Sequence, residues 1–86
     1  MEQNNEYFME RLADSDALLA DGFEDALIGV TEGMRCVAVY DYKKCLEVLM
    51  KRDGMTYSDA IEYMDYNVTG AYVGEMTPVF ITMDEL

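Results

Sequence analysis

The sequence predicts an α+β fold: an acidic N-terminal helix, a β-hairpin, two helices joined by a tight corner, and a final strand that completes a three-stranded antiparallel sheet packed on the helices. Three observations carry this prediction. The run Asp53-Gly54-Met55-Thr56-Tyr57-Ser58-Asp59-Ala60 ends one helix and starts another. Two short apolar runs, residues 26–30 and 35–40, are separated by a glycine-bearing link. Half of the 86 residues are apolar, which is enough for one core and too little for two. The chain therefore reads as a single domain, 1–86, with a helical segment over 1–20, an α+β core over 21–83 and a frayed tail at 84–86.

The first element follows from Tyr7, Phe8, Leu12, Leu18 and Leu19 set among acids, a helical pattern weakened at Asp14-Ser15-Asp16, where short polar side chains compete for the backbone. A helix over about 4–12 is expected, then a turn or a second short helical piece, and Asp21-Gly22 marks the break. Ala26-Leu27-Ile28-Gly29-Val30 and Arg35-Cys36-Val37-Ala38-Val39-Tyr40 then read as strands, the second β-branched at alternate positions 37 and 39. Thr31-Glu32-Gly33-Met34 is short enough to make them a hairpin.

Asp41 is a good N-cap, and Tyr42, Cys45, Leu46 and Leu49 recur at helical spacing, leaving Lys43, Lys44, Glu47 and Lys51 for solvent. Lys51 and Arg52 close that helix against the negative end of its dipole. Gly54 is the left-handed stop. Thr56 caps the next helix, with Asp59 placed to complete a capping box and Met55 placed to staple onto Ala60. Tyr57, Ala60, Ile61 and Met64 form the second helix's apolar stripe, and Asp59, Glu62 and Asp65 project from the other side. The helix ends at Asn67 or Gly70, Gly74 bends the chain, and Pro78 precedes the last strand, Val79-Phe80-Ile81.

Charge is the strongest compositional fact. Eighteen acids against six bases give −12, which speaks against an unaided nucleic-acid or anionic-membrane binder and for a basic partner. Residues 1–33 hold nine acids and one base, residues 34–52 two acids and five bases, and residues 53–86 seven acids and no base. Two acidic ends flank one basic helix. A surface kept acidic only for solubility is the plain alternative. Seven Tyr and eight Met fit core filling as well as an adaptable contact surface. The N-terminus has no basic region ahead of an apolar core and no run reaches membrane-spanning length, so a cytoplasmic protein is expected.

Several words of the chain carry a resemblance. Asp21-Gly22-Phe23 with Ile28-Gly29-Val30, Val39-Tyr40-Asp41-Tyr42 with Cys45, Arg52-Asp53-Gly54-Met55, and Asn67-Val68-Thr69-Gly70-Ala71-Tyr72-Val73-Gly74-Glu75 with Thr77-Pro78 resemble a small acidic protein type frequent in bacteriophage and prophage genomes. The resemblance covers residues 21–80. It implies a phage setting, hence the cytoplasm of a host cell, and no activity.

Catalytic and metal chemistry find little footing. Without histidine, no nucleophile is paired with a base and an orienting third group, so no enzyme is expected. Cys36 and Cys45 form no CxxC pair and read as buried thiols. Asp65-x-Asn67-x-Thr69-Gly70 starts like a calcium loop but places Met76 where the bidentate acid belongs. No cofactor or metal is expected.

Two functional classes remain. One is an acidic inhibitor whose carboxylates occupy a groove that a host defence or nucleic-acid enzyme keeps for nucleic acid, in the manner of anti-CRISPR and other DNA-mimic proteins. Its expected contact residues are Glu6, Glu10, Asp14 and Asp16 of the first helical segment and Asp59, Glu62 and Asp65 of the helix after the corner, a set expected to present acids at a phosphate-like repeat. The other is a small structural or regulatory adaptor that binds through Tyr and Met, with a homodimer as one way to bury them.

Overall fold

The computed structural model describes residues 2–33, 35–70 and 74–83, with side chains from Tyr7 onward. The chain forms α1 (Glu2–Asp14), a 3-10 turn (Glu24–Ala26), β1 (Leu27–Val30), β2 (Ala38–Asp41), α2 (Tyr42–Asp53), α3 (Tyr57–Asn67) and β3 (Val79–Ile81). The class is α+β, with the strands in the order β1-β2-β3. α1 packs on β1, α2 on β2 and on the 3-10 turn, and α3 on α2. Among the described residues no helix is long and apolar enough to cross a membrane.

The corner follows local chemistry closely. Asp41 ends β2 and caps α2, its carboxylate accepting the Lys44 N–H at 3.3 Å. Gly54 takes the left-handed conformation at φ 69°, and Thr56 accepts the Asp59 N–H at 3.1 Å. Leu12, Tyr40, Cys45, Leu49, Ala60 and Met64 are all at most 2% exposed and lie in one core. Met55 is half-buried at its edge.

Three expectations are corrected. β1 and β2 are antiparallel, but β3 runs parallel to β2, pairing Val39 with Val79 and Asp41 with Ile81. The sheet is therefore mixed. The cause is the connection: residues 42–78 form a two-helix crossover that returns the chain to the starting end of β2, and only a long crossover can place strands parallel. The hairpin link is also longer than the expected 31–34, because β2 begins at Ala38 rather than Arg35. Thr31 holds this longer loop, its Oγ1 accepting the Val37 N–H and donating to the Arg35 carbonyl, both at 3.0 Å. Met34 and the tail 84–86 lie outside the described residues. Finally, α1 runs on to Asp14, past its expected end near 12, and the turn, not a second helical piece, follows at residues 15–16, with Leu18 and Leu19 in the irregular linker beyond it.

Candidate binding surface

The outward face of α3 is set by the inward one. Ala60 and Met64 are fully buried and Ile61 half-buried, so the 3.6-residue period turns Asp59, Glu62, Asp65 and Tyr66 toward water. Tyr66 is 81% exposed, the largest value among the exposed large apolar side chains of the described residues. Tyr57, expected in the apolar stripe, is instead 60% exposed, although Ala60 in the same turn is fully buried. An exposed tyrosine contributes little to folding, but offers a rigid contact surface with a polar tip.

Ion pairing leaves these acids to solvent. The described pairs are Arg11 with Glu32 at 2.9 Å, Arg35 with Glu75 at 3.5 Å, Lys44 with Glu47 at 3.7 Å and Arg52 with Asp53 at 3.1 Å. Among the described residues, none of Glu10, Asp14, Asp16, Asp59, Glu62 or Asp65 takes part in an ion pair. All six are exposed. Asp65 also lies close enough to Tyr42 to raise that phenol, after burial, which is the larger cause.

The structure divides the expected contact residues into two groups. Asp59, Glu62 and Asp65 share one face of α3 at spacings of three. Glu10 and Asp14 lie one turn apart on α1, and Asp16 follows in the left-handed region at φ 60°. The Glu6 side chain lies outside the described ones. Two helices thus carry these acids, α1 packed on β1 and α3 on α2.

Two cations do structural work that the sequence did not announce. Arg11 donates to both carboxylate oxygens of Glu32, at 3.1 and 2.9 Å, and to the Tyr7 hydroxyl at 3.1 Å. The guanidinium holds the Glu32 carboxyl below its ordinary range. Arg52, expected only to answer the dipole of α2, donates to the Gly22 carbonyl at 2.8 Å and sits 5.7 Å from the Phe23 ring centre. Gly22 suits the site through its φ of 90°, which other residues rarely adopt, and an added Cβ would also make the flexible guanidinium end, 2.8 Å away, shift. Long side chains that span 21 or 30 residues leave no periodic trace, and only the glycine at position 22 hinted at a close approach.

The remaining chemical candidates resolve into structure. Thr69 donates its hydroxyl to the Met64 carbonyl at 3.2 Å, as its N–H does at 2.7 Å, so the Asp65-x-Asn67-x-Thr69 stretch closes the end of α3. Cys45 is fully buried, and burial first, then Asp41, pushes its thiol up to about 12. At neutral pH it is a protonated core group. Its raised folded pKa favours the native state below the unfolded value of 9.0, and that contribution is lost as pH climbs from there through about 12. Urea midpoints should therefore fall above pH 9, and Cys45→Ala should flatten the fall relative to its own neutral value. An unchanged slope in the variant would assign the alkaline loss elsewhere, Tyr40 being the first suspect because burial raises its phenol as well.

No family model, no curated protein and no solved structure matches this chain.

Proposed function

We propose that the protein is a non-enzymatic binder that sets the acidic, tyrosine-bearing face of α3 against a basic surface which another protein keeps for nucleic acid. The observation that carries this reading is the exposure of Asp59, Glu62 and Asp65 around an 81% exposed Tyr66, on a helix with no base of its own. Carboxylates so placed answer the Lys and Arg that phosphates would otherwise engage, and the ring can receive one of those cations on its face. Glu10, Asp14 and Asp16 add a second acidic patch and a long-range field that speeds encounter. In the phage setting that the sequence resemblance implies, the partner is a host nucleic-acid-binding or defence complex, and the outcome is its inhibition.

The test is capture from a host lysate on the immobilised full chain, with elution by short duplex DNA and by salt. The expected result is a nucleic-acid-binding protein released by both agents, since exposed ion pairs are screened as the Debye length shrinks from ~10 to ~3 Å. Combining Asp59→Asn, Glu62→Gln and Asp65→Asn should weaken that capture by ~0.6–3 kcal/mol, at ~0.2–1 kcal/mol for each exposed pair. Capture that resists salt and DNA, survives the triple change and is lost on Tyr57→Ser or Tyr66→Ser would replace this reading with the adaptor.

A further inference from the structure

A groove of about 340 Å³ opens beside the inner border of the α3 face. Three separate segments wall it: Leu18 and Leu19 from the linker after α1, Tyr63 and Val68 from α3 and its end, and Pro78 and Phe80 from the residue before β3 and from β3 itself. Its size lies at the lower end of ligand pockets, ~300–1,000 Å³. Leu18 and Leu19 are each 41% exposed, and backbone bonds hold them in place. The Leu18 N–H donates to the Met76 carbonyl at 3.3 Å, and the Ala20 N–H to the Tyr40 hydroxyl at 2.9 Å. The linker is thus pinned at both ends of the leucine pair, with the side chains turned to a concave apolar surface that water fills at a cost.

The charge around the groove is acidic in excess, although Arg52 lies beside it over the Phe23 ring. Among the described residues of its lining, Asp21 is the only charged one. Asp59 lies one helical turn before Tyr63, and Glu62 is its neighbour, so the groove borders the acidic face without a break in the helix. Arg52, which lies over the Phe23 ring at the border of the groove, is engaged by Asp53 and the Gly22 carbonyl.

We propose that this groove receives the apolar side chains of a basic amphipathic segment of the partner, a leucine-sized anchor flanked by Lys or Arg. The anchor enters between Leu19, Val68 and Phe80, while the flanking cations meet Asp21 on one side and Asp59 and Glu62 on the other. The proposal rests on the acidic-face reading for the charge of its occupant, and adds the apolar determinant that charge alone lacks. Selectivity then comes from the groove, and encounter from the field.

The probe is a fluorescein-labelled synthetic peptide with leucine and lysine at amphipathic helical spacing, titrated with the full chain and read by anisotropy. Two companion peptides carry serine for leucine or glutamate for lysine. The lysine–leucine peptide should bind at least ten times more tightly than either companion. Leu19→Glu should weaken that binding at least tenfold, although it adds a negative charge that would strengthen simple attraction. Leu18→Glu provides an independent second variant, and an unchanged melting temperature certifies the fold of each. If the serine peptide binds equally well and both leucine variants bind as tightly as the parent or more so, the groove proposal is overturned while the acidic face stands. If leucine matters but the glutamate peptide binds as well as the lysine one, and Asp59→Lys with Glu62→Lys changes nothing, the acidic-face reading fails and takes the basic occupant with it.

Discussion

Tyr40→Ala should lower the unfolding free energy by ~3–5 kcal/mol, the range for removing a large aromatic side chain from a core. At ~0.05–0.15 kcal/mol per residue, a chain of 86 residues holds ~4–13 kcal/mol in total, so this one change removes a large share of it. The reason lies in how many elements meet at the ring. Tyr40 is 2% exposed and stacks on Phe80 of β3 with ring centres 5.3 Å apart. Its hydroxyl accepts the Ala20 N–H at 2.9 Å, which ties the linker after α1 to the central strand. Tyr40→Phe keeps the stack and loses only the tie, so it should cost ~0.5–1.5 kcal/mol. Urea midpoints with unchanged slopes would measure both. A Phe variant as stable as the parent would mean that the linker is held without the hydroxyl, and a small loss for Ala would contradict the central place of the ring.

Leu49→Ala should cost ~2–5 kcal/mol, whereas Met50→Ala, one residue along, should stay below ~1 kcal/mol. Leu49 is fully buried where α2 meets the core, and Met50 is 38% exposed on the flank of the same turn. The pair tests the rotation of α2 as well as its existence. A helix turned by one residue would exchange the two costs. This sensitivity to register is what makes adjacent positions more informative than any single deep truncation, and thermal or urea unfolding of the two variants side by side would decide it.

The sequence alone determined the parts whose physics is local. Asp41, Gly54 and Thr56 act within four residues of themselves through caps and a left-handed stop, and all three hold the geometry their chemistry demands. The spacing of Ala60, Ile61 and Met64 likewise turned Asp59, Glu62 and Asp65 to solvent before any tertiary contact was known. Tertiary structure decided what depends on where the chain returns. The direction of β3 follows from the end at which the α2–α3 crossover delivers it, and Val79-Phe80-Ile81 has the same alternation whichever way it runs. Leu18 and Leu19 look like helix-face residues in the sequence, yet bonds to Met76 and Tyr40 hold the linker that carries them as one wall of a groove. Arg11 and Arg52 found partners 21 and 30 residues away, which no period or cap encodes. Backbone periodicity repeats within a turn or a pleat and is therefore written in neighbouring residues, whereas strand direction, groove walls and long-range ion pairs depend on loop closure, which joins positions with no shared local pattern.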